Sequence, residues 1–346
     1  MAETLNVALV GYGYAGKTFH APLIAAVPGM ALAAIVSSGK DKVVADWPQV
    51  AVHAGVDTVL ADPAIGLIVI ATPNDTHFDL ARRALEAGKH VVVDKPFTVT
   101  VAEARELDAI AQKARRVLSV FHNRRWDADF LTLKALIDTG KLGDVVQFES
   151  HFDRFRPQVR SRWREADVPG AGLWYDLGPH IVDQTLQLFG KPDAVYADFA
   201  KRRNGAQATD YFHVLLRYPA TRVILHGSVL VPGGGPRFAV HGTLASYIKH
   251  GLDVQEDQLK AGRQPGCDGW GVDHQHGIRY VGDADVPGVE PVATLPGDYR
   301  HYYAGVRDAV TAGAANPVPA AEAILVMEII ELAIRAAEAR RELALP

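Results

Sequence analysis

The chain has 346 residues, 36 basic against 40 acidic side chains and a formal net charge of −4, with 48% hydrophobic and 22% charged residues. At about 150 residues per domain it holds roughly two domains, and its slight acidic excess argues against a nucleic-acid surface. A single cysteine, Cys267, leaves no intrachain disulfide and no cysteine-rich zinc site.

Residues 5–10 form a short apolar run, broken only by Asn6, that ends in Gly11-Tyr12-Gly13-Tyr14-Ala15-Gly16. A helical pattern follows to about 27, and 31–36 is a second strand-length run, so the chain opens as a strand–helix–strand unit. The alternation continues with a strand at 67–71, a helix at 75–87 closed by Gly88, a strand at 90–93, a helix at 101–115 and a strand at 117–121. Strands alternating with helices imply a doubly wound parallel sheet, here a first domain over 1–121.

The texture then changes. A helix is predicted at 129–139, and strands at 145–153, 195–201, 211–218, 222–231 and 237–242 follow with Gly and Pro between them. Successive strands without intervening helices favour an antiparallel sheet. One helix at 177–189 interrupts them, 262–298 reads as long loops, and 320–342 reads as a terminal helix. The second domain, 122–346, is therefore expected to be α/β, with a large, mostly antiparallel open sheet. The apolar runs at 65–71 and 324–330 are too short for a membrane span, and no basic-then-apolar leader is visible, so a cytoplasmic location is expected.

Gly11, Gly13 and Gly16 fit G-x-G-x-x-G between a strand and a helix, the context in which that spacing marks a Rossmann dinucleotide site. Gly11 permits the turn, Gly13 lets backbone amides approach a pyrophosphate, and Gly16 lets the helix pack close to the strand. Tyr12, Tyr14 and Ala15 complete the turn. NAD sites carry an acid about 20 positions later, to hold the ribose. Here Ser37-Ser38-Gly39-Lys40-Asp41-Lys42 follows the second strand. Ser37, Ser38, Lys40 and Lys42 suit a 2′-phosphate, so NADP(H) is expected; Asp41, turned inward, would favour NAD instead. Thr72, Pro73, Asn74 and His77 follow one buried strand and Asp94, Lys95 and Pro96 the next. Both groups should line the crevice at the carboxyl edge of the sheet.

These motifs, together with Asp176-Leu177-Gly178-Pro179-His180, resemble the glucose–fructose oxidoreductase/inositol dehydrogenase/rhizopine catabolism family over essentially the whole chain. Asp94 stands where members usually carry Glu before Lys-Pro. Segments 119–127, 162–165, 175–186 and 251–257 with 261–263 are similar to the NADP-dependent scyllo-inositol dehydrogenase branch of that family. The resemblance implies an oxidoreductase acting on a secondary alcohol or ketone of a cyclic polyol or sugar, and a homo-oligomer, dimer or tetramer, with no nucleic-acid or membrane partner.

Oxidising an alcohol requires hydride to leave carbon for the nicotinamide and a proton to leave oxygen. His180 is the candidate base, since imidazole titrates near neutral pH. Lys95 would stabilise developing alkoxide. Asp176 would bind substrate and tune Lys95 or His180; four apart, Asp176 and His180 would share a helix face, although Pro179 between them suggests a helix start or kink. Singly, these residues would read as a structural histidine, an N-cap and a surface turn.

His122, Asn123, Arg125 and Asp127 after a strand end, with Arg156, Arg162 and Trp163 from the second domain, are candidate substrate contacts. The arginines equally suit ion pairs within the protein. Tyr211, His213 and Tyr247, alternating on strands, suit packing. Asp273-His274-Gln275-His276 looks like a ligand cluster but sits in a Gly-rich loop, so no metal is expected. Reduction of another keto sugar, an imine or an enone on the same scaffold is the alternative chemistry. A non-catalytic NADP-binding regulator is the other alternative, against which the presence of Lys95 and His180 speaks.

Overall fold

Apolar runs and 3.6-period segments fold as the elements they announce. In the computed structural model, which describes residues 4–282 and 288–346, the first half runs β1 (Leu5–Val10), α1 (Ala21–Ala25), β2 (Met30–Val36), α2 (Lys40–Asp46), β3 (Ala51–His53), α3 (Asp57–Ala61), β4 (Leu67–Ile70), α4 (His77–Glu86), β5 (His90–Val93), α5 (Val101–Ala114) and β6 (Leu118–Val120). It continues through α6 (Ala128–Asp138), β7 (Val145–His151), α7 (Leu173–Phe189), β8 (Ala194–Ala200), β9 (Tyr211–Arg217), β10 (Arg222–Ser228), β11 (Phe238–Gly242), β12 (Ala245–Lys249) and α8 (Gln255–Lys260). It closes with β13 (Gly277–Val281), β14 (Gly288–Val292), α9 (Arg300–Ala312), α10 (Ala320–Ala339) and β15 (Leu343–Ala344). Among the described residues no helix is long and apolar enough to cross a membrane.

Two compact units share the chain: Met1–Trp126 with Gln255–Gly271 and Asp298–Ile324, and Asp127–Val254 with Val272–Gly297 and Leu325–Pro346. In the first, six parallel strands lie in the order β3-β2-β1-β4-β5-β6. This is the doubly wound Rossmann order, whose winding direction reverses between β1 and β4. Residues 67–70 are buried throughout, as strands covered on both faces require. Thr100 begins α5 with a capping box: its hydroxyl accepts from Glu103 N–H, and the Glu103 carboxylate accepts from Thr100 N–H.

The second unit is built on nine strands in the order β14-β13-β12-β11-β7-β10-β9-β8-β15, antiparallel except for the β7–β10 pair. Alternate residues face one side: Val223 and Leu225 on β10, Phe212, Val214 and Leu216 on β9, and Phe238 and Val240 on β11 are buried in one core. α6, α7 and α10 fill that core with Phe130, Leu133, Trp174, Ile181, Ile329 and Ile330. Trp174 Nε1 donates to the Ile330 carbonyl at 3.1 Å, so α7 is held to α10 as well as to the sheet. The intervening residues of β9 and β10, His213, Leu215, Ile224 and His226, point to the other face and are half-buried.

Several elements depart from the sequence reading. α7 starts at Leu173, so Pro179 lies inside the helix and Asp176 and His180 share one continuous helical face. Residues 262–298 contain β13 and β14 as well as loops, and 283–287 lie outside the described residues. α2, α3, α8, α9, β3, β12 and β15 were not visible as local patterns. Most are too short to show a period; α9 is amphipathic, but its buried face is made of Tyr302, Tyr303 and Val306, and aromatics fit strand and helix alike.

Gly227 on β10 faces the core, where a Cβ would lie 2.4 Å from the Phe212 ring. Gly227→Ala should therefore cost about 1–3 kcal/mol through overpacking. An unchanged urea midpoint would show that the sheet relaxes more easily than this packing implies.

Candidate active site

The carboxyl ends of β1, β4 and β5 carry the three turns that the sequence singles out. Gly11 leaves β1 with φ +99°, and a Cβ there would lie 2.5 Å from the Ala71 carbonyl oxygen. A Cβ at Gly16 would lie 2.2 Å from the Gly11 carbonyl oxygen, whereas one at Gly13 would meet nothing within 4 Å. The turn is thus closed by backbone at its two ends and open in its middle. That is the cradle a pyrophosphate requires, so these residues fit a dinucleotide. Ala15 leads into a π-helical turn, Gly16–His20, that runs on into α1.

The side chains of this turn are held by neighbours that the sequence reading missed. Tyr12 O–H donates to Asp46 at 2.9 Å, and Asp46 also pairs with Lys17 at 2.6 Å. Tyr14 O–H donates to Glu256 at 2.7 Å; burial and the Glu256 carboxylate push the phenol up to about 12. Burial would raise Glu256, but Arg124 at 3.0 Å, Tyr14 and Lys260 at 3.1 Å outweigh it and hold the carboxyl at about 2. After β2, Ser37 Oγ accepts from Gly39 N–H at 3.1 Å, while Ser38, Lys40, Asp41 and Lys42 are exposed at the start of α2.

After β4, the Thr72 and Thr76 hydroxyls share a hydrogen bond of 2.6 Å, and Thr76 also donates to the Pro73 carbonyl. Asn74 is buried. His77 is fully buried, with Nδ1 at 2.9 Å from the Pro96 carbonyl and Nε2 at 3.1 Å from that of Thr72. This places His77 behind the crevice as a clamp between two turns; it offers no free face to a cofactor. Burial lowers its pKa below the ordinary imidazole value.

Asp94 also turns inward. Its Oδ1 accepts from Lys95 N–H at 2.8 Å and lies 3.7 Å from His20 Nε2, while His20 Nδ1 meets Tyr303 Oη at 2.5 Å. Burial raises the Asp94 carboxyl, but His20, Lys95 and His77 more than offset this and hold it at about 2. Lys95, half-buried, is joined to Pro96 by a cis peptide bond. After β6, His122 and Asn123 are buried, and Arg125 pairs with Glu322 at 2.7 Å and donates to the Pro317 carbonyl.

In the second unit Asp127 is buried at the head of α6. On α7, Asp176 lies 3.6 Å from Arg164 and 3.9 Å from Arg154, and His180 is buried one turn further on. Arg154, Arg156, Arg162, Arg164, Arg203 and Asp176 line one cavity. Glu165 holds Arg162 at 2.8 Å and Arg203 at 3.1 Å, and Asp210 holds Arg203 at 3.0 Å. Trp163 is half-buried, with the Arg164 guanidinium 4.9 Å above its ring. Tyr247 packs in the core and Asp273 pairs with buried Lys249 at 2.9 Å, while His274 and His276 are exposed.

The depressed Asp94 pKa stabilises the fold above the carboxyl's ordinary 3.8 and is lost as pH falls through about 2. Asp94→Asn should remove on the order of 2 kcal/mol of stability at pH 7 and flatten the loss of stability between pH 4 and 2. Denaturant unfolding across that range measures both; an unaltered acid limb would show that Asp94 is not held in this way.

Two family models match: "Oxidoreductase family, NAD-binding Rossmann fold" over residues 5–122 and "Oxidoreductase family, C-terminal alpha/beta domain" over 134–345. The chain is 57% identical to the uncharacterized oxidoreductase YdgJ of Escherichia coli (strain K12), with 100% of each chain covered. It is 40% identical to the scyllo-inositol 2-dehydrogenase (NADP(+)) IolW of Bacillus subtilis (strain 168), over 99% of this chain and 96% of that one. A solved oxidoreductase of Yersinia pestis superposes with a TM-score of 0.96 at 55% identity, covering 100% of this chain and 98% of that one. The chain belongs to the glucose–fructose oxidoreductase/inositol dehydrogenase/rhizopine catabolism family of oxidoreductases.

Proposed function

We propose that the chain interconverts a secondary alcohol and a ketone on a cyclic polyol or sugar with NADP(H), and that scyllo-inositol is its substrate. The observation that carries this reading is the half-buried Lys95 at the end of β5, in the row of turns that includes the open-centred glycine cradle. The whole-chain similarity to the Bacillus subtilis NADP(+) enzyme supports the choice of inositol and of cofactor. Gly11, Gly13 and Gly16 would hold the pyrophosphate. Ser37, Ser38, Lys40 and Lys42 would hold the 2′-phosphate, with exposed Asp41 the one acid in that segment.

When bound, NADP(H) supplies the two-electron carrier. The chain's own residues then manage charge and proton. Lys95 would place a cation against the substrate oxygen and stabilise negative charge as the hydroxyl is deprotonated. His180 would take that proton, or return it in the reducing direction. Asp176, four residues earlier on the same helix face, would bind a neighbouring hydroxyl.

One observation favours a second reading, reduction of a different keto sugar. The cavity beside Asp176 carries five arginines against three carboxylates, Glu165, Asp176 and Asp210. That excess of positive charge suits an acidic sugar better than a neutral inositol.

Initial rates followed at the NADPH absorbance separate these readings. With scyllo-inositol and NADP, Lys95→Ala and His180→Ala should each lower kcat by about 10²–10⁴-fold. Activity confined to sugar acids would move the assignment to the second reading. Tight NADPH binding without turnover on any sugar or inositol would indicate a binding protein.

The cofactor preference has its own check. The double substitution Lys40→Ala/Lys42→Ala should raise KM for NADP about 100-fold, the effect of losing two charge-assisted phosphate contacts of about 1.4 kcal/mol each, and leave KM for NAD unchanged. Equal efficiency of the unsubstituted protein with NAD would overturn the preference.

A further inference from the structure

The nine-stranded sheet has a second face, turned away from the core that α6, α7 and α10 fill. On β7, Phe148 and Ser150 are buried on the core side, so Glu149 and His151 point to the other. On β10, Val223 and Leu225 are buried and His226 points to that same second face. The parallel register sets His226 directly beside His151. Asp153, just past the end of β7, completes the group: one donor atom from each of His151, Asp153 and His226 lies within 4.8 Å of the others.

We propose that His151, Asp153 and His226 form a binding site for a divalent transition-metal ion of the zinc class. The spacing is the first argument. His226 Nε2 lies 3.3 Å from Asp153 Oδ1, and His151 Nδ1 lies 3.6 Å from Asp153 Oδ2. Two ligands each about 2.0–2.1 Å from a tetrahedral zinc stand about 3.3–3.4 Å apart. A carboxylate hydrogen-bonded to imidazolium groups would instead sit at about 2.7–2.9 Å. Both separations exceed that hydrogen-bond range and lie near the ligand–ligand separation, and one donor atom of each residue is within 4.8 Å of the other two.

The surroundings orient these atoms as a metal site requires. His151 Nε2, the nitrogen turned away from Asp153, meets Glu149 Oε2 at 3.0 Å. A carboxylate on the far ring nitrogen fixes the tautomer that leaves Nδ1 free to ligate. Glu149 is held in turn by Gln147 at 2.6 Å, and Asp153 Oδ1 accepts from Ser228 N–H at 3.0 Å.

Two imidazoles and one carboxylate suit zinc, cobalt, nickel or copper, whereas calcium and magnesium prefer oxygen-only sets. Three protein ligands leave a fourth position for water or an added ligand. His151 and Asp153 indeed line a cavity, walled by the Gly233-Gly234-Gly235 loop, His250 and Gln275. Gly235 carries no side chain against it; a Cβ there would stand 3.5 Å from Asp153 Oδ2.

The full-length protein, stripped with a chelator and dialysed, should bind one zinc per chain in a titration against a chromophoric competitor. Cobalt added in its place should give the intense visible bands of a tetrahedral site. His226→Asn and Asp153→Asn, each close in shape to the native residue, should abolish both signals while leaving the circular dichroism of the apoprotein unchanged. Glu149→Gln should weaken zinc about 10–100-fold without altering the stoichiometry. Absence of stoichiometric zinc binding by the native protein would overturn the proposal. So would binding of native strength in both ligand variants, which would place the metal on other histidines such as His250, His274 or His276. If a ligand variant fails to fold, Glu149→Gln still decides the matter: zinc affinity equal to that of the native protein would overturn the proposal.

Discussion

No atom beyond Cα fits at the two ends of the turn that follows the first strand, and the first unit is arranged around that fact. A side chain at Gly11 would strike the carbonyl of Ala71 at the end of β4, and one at Gly16 would strike the carbonyl of Gly11 itself. β1 and β4 are adjacent strands in the middle of the sheet, where the winding direction changes. The chain can leave β1 and enter its helix only by passing within van der Waals distance of β4's exit. The same tightness leaves the backbone at Gly13 uncovered. Packing and ligand approach therefore rest on one constraint, and the turns after β4 and β5 take their places beside it.

Around this cradle, burial divides the charged and polar residues into two groups. His77 and Asp94 look like site residues in sequence but spend their bonding capacity inside the protein, on the Thr72 and Pro96 carbonyls and on His20 and Lys95 N–H. The second unit repeats the pattern. Arg203 is enclosed by Glu165 and Asp210, and Arg237 by Asp129, Ser150 and Gln184. A buried charge stripped of one such partner is strongly destabilising, so these groups are fixed in place. Asp176 stands 3.6 Å from Arg164 and 3.9 Å from Arg154 and lines the arginine-rich cavity.

Much of this was legible because local patterns carry it. The glycine spacing, the apolar strands of the parallel sheet and the two-residue alternation of β9 and β10 are all written within ten residues or so of themselves. Asp176 and His180 could be placed on one face by counting. What could not be read is what depends on the chain's return: α8 and α9 join the first unit from beyond residue 254 and bring Glu256 to Tyr14 and Tyr303 to His20. No periodicity reports a partner that distant. For Arg125 and Arg162 the sequence leaves ligand contact and ion pair equally open; the structure sets Glu322, far along the chain, beside the first and Glu165, three residues on, beside the second.

The same limit explains why the chemistry of the sheet's second face stayed hidden. A two-residue period tells which strand residues oppose the core, but it is silent on which strands are neighbours. β7 lies between β10 and β11, although β8 follows it in the chain, and this insertion creates the sheet's parallel pair. Parallel pairing sets His151 level with His226, and the antiparallel pairing of β9 with β10 sets His213 on the other side of that same residue. The sheet's strand order, which the core side chains enforce from one face, thus determines which titratable groups meet on the other.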